Sequence, residues 1–415
     1  MYQAPRGTAD ILPQDQPYWR FINEKAAGVC RLYGYERIEF PVFEDAGLFR
    51  RSVGEGTDVV DKEMYLFDDR GGNHLALVPE GTASVCRAYI EHGMQTLAQP
   101  VKLYYFTPVF RYDRPQAGRY RQHHQFGFEA IGDADPALDA EIIGMGWQFY
   151  QSVGLEKLSL QLNSIGCKVC RPNYLNVLKE YYAGHGERLC NDCKTRAVRN
   201  TLRLLDCKQN TCQGIADNAP KSSDYLCGDC TAHFSSLKKY LGLLDIPFNI
   251  NHRLVRGLDY YSRTVFEIQP EVEGGQSTIG GGGRYDGLME ELGGKPTPGI
   301  GMATGIERIV LNLKRAEIAI PVLPGPKVYV AHMGAEARDA ALKIAAKLRR
   351  SGISVVESFG EKSIKAQLRH GNSLGVKYAL IIGEQELQTG TVVLRDMTSA
   401  LQETVPQELL SDRLR

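Results

Sequence analysis

Several protein classes are excluded by what this sequence lacks. It has no net charge, because 49 Lys and Arg balance 49 Asp and Glu, and its isoelectric point is near 7.1. That excludes a protein held to nucleic acid by bulk charge, though not a local basic patch. No apolar run reaches the ~18 residues of a spanning helix, so no membrane association is expected. The opening residues Met1, Tyr2, Gln3, Ala4, Pro5 and Arg6 lack the apolar stretch of a secretory leader, and the chain reads as cytoplasmic. No internal repeat or low-complexity tract is visible. The pattern G-x-x-x-x-G-K-[ST] does not occur, and the glycines of Gly299–Gly305 end one residue too late for G-x-G-x-x-G. Neither a P-loop nor a dinucleotide fold is supported, so a bound nucleotide needs another cradle. The run Gly280–Gly283 before Arg284, Tyr285 and Asp286 reads as a mobile hairpin.

The 415 residues suit two or three domains at ~150 residues each, enough to bury a core without covalent staples. With 43% hydrophobic and 24% charged residues, the chain looks like an ordinary globular protein. Cysteine is unevenly placed. Cys30 and Cys86 stand alone in helical patterns, while the other eight crowd into one stretch as Cys167/Cys170, Cys190/Cys193, Cys207/Cys212 and Cys227/Cys230. Four structural disulfides do not belong in a cytosolic chain. Paired thiolates at such spacings suit a tetrahedral ion, and two pairs complete a four-cysteine site, which points to zinc. The other reading is small buried hydrophobes or spare thiols. The order in which the pairs would combine is not readable from spacing.

Three prolines and a glycine between Ile320 and Pro326 make the best linker signal. Beyond it, 326–415 reads as an α/β unit, with strands at Val328–Ala331, Ile353–Val356 and Tyr378–Ile382, a helix over Arg338–Ser351 and another near Ile364–His370. The Cys-rich stretch 167–248 reads as an insertion. Its basic run of Lys194, Arg196, Arg199, Arg203 and Lys208 suits a solvated helix face as well as nucleic-acid contact. The main domain is 1–166 plus 249–320. It opens with a helix from Pro17 to Gly34, followed by an alternating segment from Tyr35 to Val42 with Pro41 at its margin.

Two segments, Lys102–Arg111 and Gln122–Ile131, read as strands around a loop carrying Arg114, Arg119 and Arg121. Alternation puts His123, Gln125, Gly127 and Glu129 on one face of the second strand, and Phe126, Phe128, Ala130 and His124 on the other. In the first strand Tyr104, Phe106, Pro108 and Phe110 oppose Thr107, Val109 and Arg111. Burying the two aromatic faces together brings Arg111, Gln125 and Glu129 onto one polar floor. A structural Arg–Glu pair would also account for that floor. The arginine-rich loop beside it favours an anionic ligand that also carries a cation or N–H donor.

These residues resemble the histidyl-tRNA synthetases. The run Leu254–Tyr261 (L-V-R-G-L-D-Y-Y), followed by Arg263–Glu267, is similar to that family's histidine-specific signature. Phe110 to Glu129 resembles class II motif 2, Gly299 to Arg308 resembles motif 3, and the helix and strand ending at Pro41 resemble motif 1, the family's dimer interface. Pro79–Thr82 is similar to the substrate-amine loop, and the C-terminal unit to the class IIa anticodon-binding domain. The resemblance covers essentially the whole chain. It implies an α/β (α+β) protein: a class II catalytic domain on an antiparallel sheet, an inserted domain and a C-terminal α/β anticodon-binding domain.

The resemblance also implies a reaction. Histidine is activated with ATP and Mg2+ to histidyl-adenylate and then passed to the 3′ end of tRNA(His) by a homodimer. Arg111 and Arg256 would be catalytic, bridging carboxylate and α-phosphate, and both also fall in the histidine site. Glu80, Thr82 and Gln125 would hold the ammonium group. Glu129 and Tyr261 would hydrogen-bond the imidazole, with Tyr260 and Tyr285 in the same pocket. Arg119, His123 and Arg308 would bind ATP together with Arg111, and Gln116 would meet the tRNA acceptor end. His123 stands where the family commonly has a phenylalanine that stacks on adenine. The eight clustered cysteines also depart from many members, so zinc stays open. The alternative is a non-catalytic paralogue that regulates ATP phosphoribosyltransferase; such proteins usually lack the C-terminal domain and parts of the arginine set, all present here.

Overall fold

The computed structural model describes residues 2–54, 57–115, 118–271 and 278–415. The two alternating segments are antiparallel neighbours, Val101–Phe110 and Gln122–Ile131, with Leu103 opposite Glu129, Tyr105 opposite Gly127 and Thr107 opposite Gln125. They belong to an eight-stranded sheet. Its order is Glu36–Arg37, Val101–Phe110, Gln122–Ile131, Gly299–Gly305, Gly280–Arg284, Ser262–Pro270, Leu158–Ser164 and Phe248–Ile250. Only the two outermost pairings are parallel.

Helices cover one face. Phe126, Phe128, Phe266, Ile300 and Met302 pack there against Ile142, Met145 and Phe149 of the helix Pro136–Ser152. That helix starts where Asp135 accepts from the Ala137 N–H at 2.8 Å, with Pro136 in the first turn. Each fully buried aromatic there contributes about 1.5–3 kcal/mol. The opposite face carries Tyr105, Tyr260, Tyr261 and Tyr285.

Two expectations need correction. The run Gly280–Gly283 is a strand in the middle of the sheet, not a hairpin. Glycine is required by close approach, since a Cβ on Gly282 would stand 1.9 Å from the Gly301 carbonyl oxygen. The segment after Tyr35 forms a strand only at Glu36–Arg37. Ile38 still donates to the Tyr104 carbonyl at 2.9 Å, but Pro41 has no N–H to offer a ladder, and Val42 turns outward to receive the Val78 N–H at 3.0 Å.

The chain divides after Ile320. Residues 167–248 lie in the first unit as helices Arg171–Ala183, Asn191–Arg199, Asn210–Asp217 and Gly228–Leu243. The second unit holds a five-stranded sheet in the order Val355–Glu357, Val328–His332, Tyr378–Ile382, Thr391–Asp396 and Gln402–Pro406. Its helix Ala335–Arg350 buries Ala341, Ile344, Ala345 and Leu348 in that unit's core. Among the described residues no helix is long and apolar enough to cross a membrane.

Candidate active site

A cleft of about 1120 Å³ opens on the tyrosine-bearing face of the large sheet. Arg111, Arg119, His123, Gln125, Arg256, Arg308, Glu80, Thr82, Tyr260, Tyr261 and Tyr285 all line it. They come from separate parts of the chain, so the fold brings the proposed set together. Gln116 lies outside the described residues.

At one end, arginines converge. The Arg111 Nε–H donates to the Pro79 carbonyl at 2.8 Å. Arg256 Nη1 meets Glu267 Oε1 at 2.6 Å, and Glu267 also accepts from the Thr278 hydroxyl at 2.7 Å. The Arg308 guanidinium donates to the carbonyls of Gly118 at 3.1 Å and Thr278 at 2.7 Å. Burial, together with Arg119, Arg111 and Arg256, lowers the pKa of Arg308 below its ordinary value. Arg119 reaches Asp113 at 3.2 Å and is the most exposed of the four. Carboxylates offset part of this charge, and guanidinium suits a forked grip on phosphate. His123 sits among these charges. Burial first, then Arg111 and Arg308, push its ring down to about 3, so it is uncharged at neutral pH.

At the other end, Glu129 is fully buried beneath the lining. It accepts from the hydroxyls of Thr82 at 2.8 Å, Tyr285 at 2.7 Å and Tyr105 at 3.3 Å. Gly301 lies directly across the ladder, and a Cβ there would be 1.7 Å from Glu129 Oε2. The glycine leaves no side chain over the carboxylate. Burial raises Glu129 to about 8; the hydroxyl donors oppose that rise and Glu80 adds to it. The alternative of a structural pair between Arg111 and Glu129 is not what forms, because their partners are a carbonyl and three hydroxyls.

Glu80 accepts the N–H groups of Thr82 and Ala83, both at 2.9 Å, and so caps the helix Thr82–Glu91. It also accepts from Tyr260 at 3.2 Å, and Gln125 Oε1 receives the Gly81 N–H at 3.3 Å. Burial raises the Glu80 pKa as well. Sequence reasoning missed Tyr105 and Glu267. Tyr105 shares the parity of Thr107 and Val109, a readable signal. Glu267 ends the segment quoted with the signature, but its contact with Arg256 was not readable, because it depends on how the strand Ser262–Pro270 returns beside the Arg256 loop.

The basic run in the insertion is neither a free helix face nor wholly solvated. Arg196 and Arg203 meet Asp58 at 3.2 and 3.7 Å, and Arg199 meets Asp61 at 3.3 Å. The cysteines form two groups of four. The first pair joins the fourth, as Cys167, Cys170, Cys227 and Cys230, and the second joins the third, as Cys190, Cys193, Cys207 and Cys212.

Comparison with known proteins matches this layout. A family model described as histidyl-tRNA synthetase matches residues 7–169 and 177–309, and an anticodon binding domain matches residues 327–415. The chain is 64% identical over 410 residues to the histidine–tRNA ligase of Dehalococcoides mccartyi, covering 99% of this chain and 98% of that one. It is 50% identical over 401 residues to the histidine–tRNA ligase of Desulforamulus reducens, covering 97% and 96%. The crystal structure of apo histidyl-tRNA synthetase from S. aureus aligns with a TM-score of 0.84 at 37% identity, covering 100% of both chains.

Proposed function

The chain belongs to the histidyl-tRNA synthetase family and is an ATP-dependent ligase specific for histidine, and we propose that the cleft divides the work between its two ends. In the first step a histidine carboxylate oxygen attacks the α-phosphorus of ATP and pyrophosphate leaves. Two anions must meet in line, so the task is positioning and charge neutralisation. Arg111 and Arg256 hold the carboxylate and α-phosphate together. Arg119 and Arg308 hold the rest of ATP, with the uncharged His123 ring against adenine. In the second step a hydroxyl of the terminal adenosine of tRNA(His) takes the histidyl group and AMP leaves, with Gln116 near the acceptor end.

Glu80, Thr82 and Gln125 receive the ammonium group. Glu129, buried beside Gly301 where no side chain stands over its carboxylate, takes the imidazole together with Tyr261, beside Tyr260 and Tyr285. A site that satisfies both ring nitrogens leaves buried groups unpaired with any other amino acid. The observation that carries this reading is one cleft with four arginines at one end and a buried carboxylate at the other.

Mg2+ is the ion proposed to enter with ATP, where it would neutralise phosphate charge. Zinc is the ion proposed for the cysteine groups. We assign three regions: a catalytic core of 1–166 and 249–320, an insertion of 167–248 and an anticodon-binding domain of 326–415. A homodimer fits the exposed apolar side chains of Leu32, Val42, Phe43, Leu66 and Phe67 around the motif 1 segment. Ten free thiols suit the cytoplasm. The regulatory-paralogue alternative is not favoured, since relatives 64% and 50% identical over nearly the full length are named ligases.

Pyrophosphate exchange into ATP, run with each amino acid in turn, tests the assignment. Histidine alone should support exchange; exchange with another amino acid and none with histidine would refute it.

A further inference from the structure

Eight thiols have no part in the reaction just described, yet their geometry is specific. In the group formed by Cys167, Cys170, Cys227 and Cys230, sulfurs are 3.7, 3.8 and 3.8 Å apart along three edges; in the other, Cys190 and Cys207 are 3.8 Å apart. All four sulfurs of each group lie within 4.8 Å of one another. Disulfide sulfurs would be ~2.05 Å apart. A tetrahedron with metal–sulfur bonds of ~2.3 Å has edges of ~3.8 Å, so each group is the size of a single zinc–thiolate site. Backbone N–H groups already face the sulfurs, from Cys167 to Cys170 at 3.3 Å and from Cys190 to Cys212 at 3.3 Å. Such donors orient and stabilise thiolate ligands.

The two groups sit differently. Cys167 follows the strand Leu158–Ser164, and Cys230 opens the helix Gly228–Leu243, so that group joins the insertion's departure to its return. The second group brackets the segment 194–206, which walls the cleft. Within it Asn200 Nδ2 donates to Asp259 at 2.7 Å, and Arg196 and Arg203 hold Asp58. Arg253 donates to the carbonyls of Leu205 at 3.1 Å and Cys207 at 3.4 Å. Asp259 and Arg253 flank Arg256.

We infer that Cys190, Cys193, Cys207 and Cys212 hold a zinc ion that positions the Arg256 loop by clamping both ends of the cleft wall, while the other four hold a zinc ion at the insertion's root. The first role rests on the catalytic reading of Arg256 given above. The zinc touches no reacting atom; its effect passes through Asn200, Arg253 and their partners.

The test uses full-length enzyme purified under reducing conditions, with metal content, tryptic cleavage and exchange kinetics as readouts. About two zinc ions per chain are expected, falling to about one in Cys190→Ser. Trypsin should then cut at Arg196, Arg199 or Arg203. The kcat for histidine-dependent exchange should fall by about tenfold to a hundredfold, with KM for ATP moving less. Cys190→His should keep the zinc, the protease resistance and most of kcat, because zinc accepts a three-cysteine, one-histidine set. Should Cys190→Ser fail to fold, chelator-stripped wild-type enzyme before and after zinc reloading carries the same readouts. Less than about 0.2 zinc per chain, or iron in its place, overturns the metal assignment. Loss of one zinc with kcat unchanged overturns the positioning role. Absence of histidine-dependent exchange in the zinc-loaded wild type refutes the catalytic reading instead.

Discussion

The two ends of the cleft handle burial of charge in opposite ways. At the arginine end, guanidinium groups stay charged however deeply they sit, and carbonyls and a carboxylate hold them in place: Pro79 for Arg111, Glu267 for Arg256, Gly118 and Thr278 for Arg308. At the other end, the Glu129 carboxylate is ringed by hydroxyls, and burial, with Glu80 adding to it, pushes Glu129 up to about 8. In the proposed reading, one end keeps fixed charge for a reaction between anions, and the other keeps a group whose charge would appear when the right ligand comes.

The largest way to break this contrast is Arg256→Ala. Losing a preorganised donor in such a site costs about 3–4 kcal/mol of transition-state stabilisation, or roughly 10²–10³ in the rate of adenylate formation. Single-turnover kinetics should show that loss, with transfer from preformed adenylate less affected. Equal losses in both steps would move Arg256 out of the activation step.

Glu129→Gln comes next. A charged hydrogen bond is lost, worth about 1.5–3 kcal/mol, so histidine should bind roughly 10–100-fold more weakly while ATP binding changes little. Equal losses for the two ligands would end the distinction between the ends. The same residue sharpens it through pH. With its carboxyl raised from 4.5 to about 8, the free folded enzyme holds a proton there that the unfolded chain has already lost. Its contribution to stability is therefore full below pH 4.5 and falls as pH rises towards 8. An imidazole N–H favours the ionised form, so histidine binding near neutral pH should release a proton. Calorimetry in buffers of different ionisation enthalpy should register that release in the wild type but not in Glu129→Gln.

The smallest effect concerns His123. A phenylalanine there buries more apolar area against adenine, so His123→Phe should tighten ATP binding by about 0.5–1 kcal/mol, roughly two- to fivefold. Nucleotide titration with histidine absent reads this directly.

How far such a site was legible depended on whether its contacts were local. Alternation along Gln122–Ile131 placed His123, Gln125 and Glu129 on one face, because the period of a strand is set by its own backbone. The motif around Arg256 was equally plain. The joining of the first cysteine pair to the fourth was not, since it depends on how the helices between them return. The contact of Glu267 with Arg256 stayed hidden for the same reason. The polyglycine segment misled because glycine suits both a loose turn and a crowded interior; only the neighbouring Gly301 carbonyl distinguishes the two.

That segment sets a limit on redesign. Where the strand Gly280–Arg284 borders the cleft at Gly280 and Gly281, it presents bare main chain, so there is nothing to trim in making room for a bulkier amino acid. Space would have to come from the side chains around it, and two of these, Thr82 and Tyr285, are hydroxyl donors to Glu129. At those two positions, trimming the side chain for space also strips a donor from the buried carboxylate.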